Sequence, residues 1–355
     1  KGYIFHSKTD TEVLINLYIE YGLEFVNHIR GMFSIALWDN LKKGILLVRD
    51  HFGIKPLYYT ENDGEILFAS QVKALLKSKK IFIEIKNKFT ANDSVIIIFF
   101  NNGGLNTKYF NKLKKIDNLY LVNFLSDHPY GLQKSQHYIL KESAHIFDLF
   151  ISFSTTINPI LYRFGAKKVF NLAFAYCKYT HYIDDKIVEK FDNNEIHYFG
   201  TWTKEIEDML LPLLNFNLKI HGASWEMSNN KEIRLIALNS SKSYYRNMVH
   251  LAKNAKIVIN FTRAPHMCLH TMKTFELTIA GACVISNFSD EQNYYFPNND
   301  SMVFFNTKEQ MLERINYYLL NNIENIKIRN NAFLNAKSNN YHNRSKELIN
   351  YLNAI

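Results

Sequence analysis

The sequence predicts an α/β protein, a pair of doubly wound, Rossmann-like domains preceded by a segment of antiparallel β with some helix. Three observations predict it. From about residue 191 onward, short β-prone runs alternate with helical stretches, the strand–crossover–strand order of a parallel sheet. Residues 81–190 show the same alternation and include the unbroken apolar run Val95–Phe100, which reads as a buried strand. Residues 1–80 instead carry short β-prone runs divided by Asp-Asn, Phe-Gly and Asn-Asp-Gly turns, the pattern of antiparallel ribbons.

The 355 residues suit two or three domains at roughly 150 residues each. A hydrophobic share of 47% is enough to fill their cores. The net charge of +9 favours anionic partners: nucleotide diphosphates, nucleic acid or an anionic membrane face. The same surplus also suits a merely solvated surface. The basic residues are spread along the chain without helix-turn-helix or RNP-type patterns, so no nucleic-acid partner is expected. Cys177, Cys268 and Cys283 are far apart and form no Cys-x-x-Cys pair, which argues against a zinc site or a disulfide framework and fits a reducing cytoplasm. The longest apolar run is far short of the ~20 residues needed to span a bilayer, and no signal peptide is expected.

Taken in order, residues 11–21 place Val13, Leu14, Leu17, Tyr18 and Tyr21 at helical spacing. Strands are expected at 32–38, 44–48, 56–59 and 66–69, and a helix starts within 72–77. In the middle region Val95–Phe100 is followed by an Asn101-Asn102-Gly103-Gly104 turn, then by strands at 119–124, 149–153 and 168–170. In the last region strands are expected at 196–199, 218–221, 257–260, 282–286 and 302–305. Helices are expected at 204–214, 244–252, 271–279 and 308–320. Such sheets bind ligands in the crevice beyond the carboxyl ends of their strands.

Three clusters fall at those ends. Phe199-Gly200-Thr201-Trp202 closes one strand, where glycine lets backbone approach a ligand and the next helix offers free N–H groups to a phosphate. Lys204 follows. His221 and Gly222 close the next strand. Both segments also suit ordinary βα turns. The third cluster joins Asn260-Phe261-Thr262-Arg263, Lys273-Thr274-Phe275-Glu276 and the Gly281 turn. A carboxylate near a helix start can accept two ribose hydroxyls, and a cation three residues earlier can face a diphosphate on the same side. It can equally complement the helix dipole.

The order FGTW, KIHGASW, KIVINFTR, KTFELTIAGACVIS and VFFNTKEQMLERINYYLLNN resembles the C-terminal domain of CgeB-like (spore-maturation-type) glycosyltransferases of the GT-B class. LVNFLSDHPY, HIFDLFISFS and YRFGAKKVFNLAFAY resemble the acceptor-side domain before it. The resemblance implies GT-B domains at 81–190 (acceptor side, incomplete) and 191–355 (donor side). It implies transfer of a sugar from a nucleotide-sugar donor to a glycan, lipid-linked or protein acceptor, in the cytoplasm or at the inner membrane face. No metal and no cofactor are expected, the nucleotide sugar being a co-substrate. Glu276 matches the second glutamate of the family's E-x7-E motif, which holds the donor ribose. Cys268 stands at the first. Lys273 stands where arginine is usual. Asn339-Asn340-Tyr341-His342-Asn343-Arg344 departs from the usual His-Thr-Tyr pattern. Protein cations neutralise the leaving diphosphate, with Lys273, Arg263 and Lys204 as candidates in that order. Asp127 and His128, just after a strand, are the candidate catalytic base pair; a capping Asp beside a surface His is the structural alternative. A catalytically decayed nucleotide-binding scaffold is the other reading of these departures.

SKTDTEVLINLYIEYG, IRGMFSIALWD, LLVRDHFGIKPLYY and FASQVKALL resemble part of the glutaminase domain of asparagine synthetases, an N-terminal-nucleophile amidotransferase fold of α+β sandwich type. That chemistry uses a cysteine at the mature N-terminus, whose own α-amino group serves as base. Here no cysteine precedes Cys177, so this segment is expected to be inactive as a glutaminase. Asp10 matches the aspartate that holds the glutamine amino group. The two incomplete parts meet near Lys80, as in a fusion by deletion or an assembly artefact, and composition points to an AT-rich, bacterial genome. Half of a sandwich should expose sheet edges and an unpaired apolar face.

Overall fold

The computed structural model describes residues 3, 5, 10–50, 55–62, 65–70, 95–101, 107–132, 134–184, 186–189, 191, 194–239, 246–262 and 269–354. Residue contacts divide the chain into two units. One is Lys1–Val95 with Gly103–Leu105 and Ile116–Asn118, and the other holds the remainder. The expected helix at 72–77, the boundary at Lys80, and Arg263 and Cys268 lie outside the described residues.

The first unit begins with helix α1 (Asp10–Tyr21), continued by a 3₁₀ stretch, Gly22–His28. Strands β1 (Ser34–Asp39) and β2 (Gly44–Arg49) pair antiparallel, with Ser34 opposite Arg49. Their turn is set by Asp39, whose Oδ1 accepts the Leu41 and Lys42 amides at 2.9 and 3.0 Å. The Tyr18 hydroxyl donates to Asp39 Oδ2 at 2.8 Å, tying α1 to the ribbon. Strands β3 (Tyr58–Asn62) and β4 (Glu65–Ala69) form a second antiparallel ribbon. Between α1 and the first ribbon lies an apolar groove of about 600 Å³ flanked by Leu14, Tyr18, Ile35 and Leu37. Phe25 is fully buried, yet Ile19, Trp38 and Leu41 stand exposed.

The second unit holds two sheets. The first has the order β5 (Val95–Phe100), β6 (Leu119–Leu125), β7 (Leu149–Ser152), β8 (Val169–Asn171), and β6, β7 and β8 run parallel. Helices α2 (Thr107–Leu113), α3 (Lys134–Ser143) and α4 (Asn158–Arg163) connect these strands. The short helix α5 (Lys178–His181) lies in the passage to the second sheet.

The second sheet contains β9 (Ile196–Phe199), β10 (Leu218–His221), β11 (Ile257–Asn260), β12 (Val284–Asn287) and β13 (Val303–Phe305). All pairs are parallel, in the order β10-β9-β11-β12-β13. Alternation along the strands explains why both faces are covered. Ile196, Tyr198, Ile220, Ile257, Ile259 and Ile285 point into one core, with Met311 and Ile315 of α11 (Lys308–Leu320). Phe199, Val258, Val284 and Phe304 point into the other. There they meet Val249 of α8 (Arg246–Asn254), Phe275 of α9 (Met272–Ile279) and Phe333 of α12 (Asn322–Ala336). The direction of winding reverses between β9 and β11, which makes their carboxyl ends the switch point of the sheet.

Several expectations are corrected in detail. The helix expected over 204–214 is α6 (Lys204–Leu210) followed by a 3₁₀ turn, Leu211–Leu213, because Pro212 has no N–H to continue the ladder. Helices α7 (Lys231–Asn239), α10 (Asp290–Tyr295), α12 and α13 (Tyr341–Asn353) had no counterpart in the pattern reading. The last of them, α13, returns to the first sheet. Leu348, Tyr351 and Leu352 pack on Val122, Leu149, Ile151 and Leu172, and Tyr351 stacks on Phe170 at 4.0 Å.

Candidate functional site

The carboxyl ends of β9 and β10 are locked together. The Gly200 amide donates to the His221 carbonyl at 2.8 Å, and the Trp202 amide donates to that of Ala223 at 2.9 Å. Gly222 has φ +148°, and a Cβ there would lie 2.0 Å from the Gly200 oxygen. That oxygen also accepts the Trp225 indole N–H at 2.9 Å. Gly222 therefore serves the crossing of the two loops, while a Cβ at Gly200 would meet the Tyr198 ring. Thr201 is exposed beside it. Lys204, one turn into the next segment, pairs with Glu207 at 3.0 Å and Asp208 at 2.9 Å, Asp208 and then Glu207 holding its ammonium above the ordinary range.

His221 is buried. Its Nε2 lies 3.1 Å from His197 Nδ1, and His197 Nε2 lies 3.1 Å from Glu195 Oε2. With the carboxylate accepting from His197, the ring's Nδ1 accepts from His221. Burial holds the His197 ring below its ordinary range, against the pull of Glu195. No sequence signal joins these three, because the strand pairing alone places Lys219 beside His197 and His221 beside Phe199.

At the end of β11 a buried polar network fixes the neighbouring elements. Asn260 Nδ2 and Thr274 Oγ1 donate to Gln292 Oε1 at 3.2 and 3.0 Å, and Gln292 Nε2 donates to the Asn287 carbonyl at 3.1 Å. This sets the start of α9, where the Thr271 amide donates to Thr274 Oγ1 at 3.2 Å. Along α9, Glu276 is almost enclosed. Burial pushes its carboxyl above the ordinary range, while the half-buried Lys273 draws it back. His181 of α5 accepts the Cys177 amide on Nδ1 at 3.0 Å, which leaves Nε2–H facing Glu276 Oε1 at 3.5 Å. Burial lowers the His181 ring to about 4, so its neutral form is favoured. Tyr341, first residue of α13, is pushed up to about 12 by burial and by the Glu276 charge. Glu276 therefore sits where the passage from the first sheet and the return of α13 meet. Sequence reasoning named Glu276 and Lys273 as candidates; His181, which faces Glu276 from another element, carried no signal in the sequence. Gly281 has φ +72° just after α9, the left-handed position that ends a helix, and its carbonyl accepts Arg329 Nη1 at 2.8 Å.

On the first sheet, Asp127 and His128 follow β6. Asn101 Nδ2 and Ser126 Oγ donate to Asp127 Oδ2 at 2.9 and 3.2 Å, which leaves Oδ1 outside those bonds. His128 Nδ1 accepts the Tyr130 amide at 3.2 Å, so the proton of its neutral ring resides on Nε2. Asp10 is the first residue of α1, in the other unit.

The two sheets are clasped by Glu291. Its Oε1 accepts from Ser154 Oγ, the Thr155 amide and Thr155 Oγ1 at 3.0, 2.7 and 2.8 Å. Its Oε2 lies 2.5 Å from His270 Nδ1, and His270 Nε2 accepts the Phe174 amide at 3.2 Å. Burial raises the Glu291 carboxyl, but the His270 and Thr155 bonds outweigh it and hold the group below its ordinary range. Among the described residues no group of three or more His, Cys, Asp or Glu is placed to hold a metal, and no helix is long and apolar enough to cross a membrane.

Residues 1–121 match the glutamine amidotransferase domain family, and residues 203–350 match the family described as glycosyl transferase-like. Asparagine synthetase [glutamine-hydrolyzing] 2 of Bacillus subtilis is 53% identical over 74 residues, covering 21% of this chain and 10% of that protein. The chain thus spans about a tenth of the length of the curated relatives it matches. Sucrose-phosphate synthase from Thermosynechococcus elongatus has a similar structure, with a TM-score of 0.56 at 12% identity over 79% of each chain. Anabaena HepE in complex with UDP-glucose gives 0.55 at 11% identity, over 73% of this chain and 79% of that one. Lipopolysaccharide outer core galactosyltransferase WaaB gives 0.53 at 14% identity, over 81% and 82%. At such identities the likeness is one of fold. The chain thus joins a segment that matches the glutamine amidotransferase domain model to one that matches the glycosyl transferase-like model, the latter in a fold similar to that of GT-B glycosyltransferases.

Proposed function

We propose that the chain transfers a sugar from a nucleotide-sugar donor to a glycan, lipid-linked or protein acceptor, at the cytoplasmic face of a membrane or near it, with no metal. In this reading residues 81–190 serve the acceptor and residues 191–355 the donor. The observation that carries it is Glu276. A carboxylate nearly enclosed on the helix after β11, with Lys273 one turn before it, is what a ribose beside a diphosphate requires. The two ribose hydroxyls donate to Glu276. Lys273, with Arg263 and then Lys204, neutralises the diphosphate as the bond from sugar C1 to its oxygen breaks. The new bond forms from C1 to the acceptor oxygen. Asp127 Oδ1 takes the acceptor proton, and His128 donates from Nε2 to a neighbouring oxygen. Gly200, Thr201, His221 and Gly222 shape the backbone around the nucleotide, while Gly281, at the far end of α9 and before the amino end of β12, serves the turn that ends the helix.

Calorimetric titration of UDP, then GDP, into the full chain tests this. Glu276→Ala is expected to weaken the nucleotide at least about tenfold, the equivalent of one hydrogen bond to a charged group. Equal binding by the variant, or none by the folded wild type, would remove the reading. A nucleotide-binding scaffold without transfer is the second reading, favoured by Cys268 where the resembled family carries a glutamate. Binding of UDP with no turnover of any UDP-sugar would support it. The amidotransferase-related segment leads to a separate expectation: residues 1–355 release no ammonia from glutamine.

A further inference from the structure

Resting on that reading, we propose that the cavity beside the Glu291 clasp is a subsite for a neutral sugar unit of the acceptor. The cavity is about 340 Å³, in the range of small-molecule sites. It opens between the carboxyl ends of β7 and β8, at Phe153 and Asn171, and α10, at Asp290 and Tyr294.

Its chemistry is that of carbohydrate recognition. A pyranose offers C–H faces that lie on aromatic rings and hydroxyl edges that donate to carboxylates. Phe153 is buried and held rigid by stacking on Phe174 at 4.5 Å. Tyr294 stands 80% exposed at the rim, edge-on to Tyr295 at 5.0 Å. The Phe153 wall and the Tyr294 and Tyr295 rings, set at 84° to each other, give a sugar an aromatic corner to lie against at little entropic cost.

The carboxylates divide the labour. Both oxygens of Glu291 are taken by Ser154, Thr155 and His270, so it frames the cavity. Asp290 has no hydrogen bond or ion pair among the described residues and is exposed, so its oxygens remain for a ligand. No Lys or Arg lines the cavity. An anion here would face the unpaired Asp290 carboxylate and a Glu291 whose His270 partner is already engaged, so the geometry rejects a diphosphate or a uronate and accepts an uncharged polyol. This separates the subsite from the nucleotide at Glu276. His270 lies on the cavity wall and α9 begins two residues later, which keeps the two sites on one rigid segment.

The test is saturation-transfer NMR and calorimetry on the full chain, with methyl glucoside, methyl galactoside, N-acetylglucosamine and maltose as neutral probes and glucuronate as the anionic control. UDP is titrated in parallel. At least one neutral sugar is expected to bind, and glucuronate is not. Tyr294→Ala and Asp290→Asn are each expected to weaken that sugar about tenfold or more, with UDP affinity unchanged as proof of fold. Three results would overturn the subsite: no neutral sugar bound by a chain that binds UDP, variants that bind as the wild type, or glucuronate bound as well as a glucoside. Neutral sugar bound and lost in the variants, without any UDP binding, would leave the subsite standing and remove the nucleotide reading. Binding of neither would remove both.

Discussion

At Glu276 two opposing titrations meet. The buried His181 ring is lowered to about 4, so between that value and its ordinary 6.5 the unfolded chain binds a proton that the folded chain does not. Stability from this group is present above pH 6.5 and lost as pH falls toward 4, about 3 kcal/mol in all. Glu276 works the other way. Its raised carboxyl keeps a proton that the unfolded chain has released above 4.5, so its contribution falls as pH rises from there. Denaturant unfolding of wild type and His181→Gln across pH 4–7 separates the two. The variant is expected to lose the acid-side decline, and a parallel decline in both proteins would refute the assignment. Cys283 gives a simpler prediction. Fully buried, with its thiol pushed up to about 12, it is expected to stay unmodified by thiol reagents in the native protein. Labelling followed by peptide mapping checks this. The sequence could single out Glu276 as a carboxylate near a helix start with Lys273 three residues before it. It could not single out His181, whose role depends on the chain passing back over α9.

Among the elements, the crossing of the β9 and β10 loops is the least tolerant place. Gly222 combines a φ of +148°, a region that side chains avoid, with the Gly200 carbonyl where its Cβ would be. Gly222→Ala is expected to destabilise the second sheet by about 2 kcal/mol or more, read as a lower denaturant midpoint with unchanged slope. The glycines were visible in the sequence as ligand-approach positions, because a tight loop crossing and a phosphate cradle ask for the same residue. Strands β9 to β13 were legible from the regular alternation of short β-prone runs with helical stretches, although β9, β10 and β12 carry His197, Lys219, His221 and Ser286 among their apolar residues. Their helices were harder. Helix α12 carries a charge within its buried face: Arg329 is fully enclosed, donating to the carbonyls of Lys253, Ala255 and Gly281, and so interrupts the expected apolar stripe. Helix α6 stops early for a reason that was on view in Pro212.

For the whole molecule, the order of the strands in the second unit could be read from the sequence, but several of its helices and the return of the chain could not. Leu348, Tyr351 and Leu352 are spaced as on any amphipathic helix, and nothing in them says which sheet they cover. Tyr351→Ala is expected to destabilise by about 3 kcal/mol, as large-to-small changes at packed aromatic positions do. The loss should appear as earlier proteolytic cleavage within residues 119–171, far from the substitution in sequence. Cleavage confined to the last helix would contradict it. The same arrangement bears on synthesis. The ribosome releases β6, β7 and β8 about 180 residues before their covering helix, a delay of roughly ten to forty seconds at 5–20 residues per second. Through that interval the nascent chain carries a finished sheet with one bare side. A premature stop between Asn171 and Leu348 would therefore leave a sticky product fit for chaperone capture rather than a shortened but folded protein.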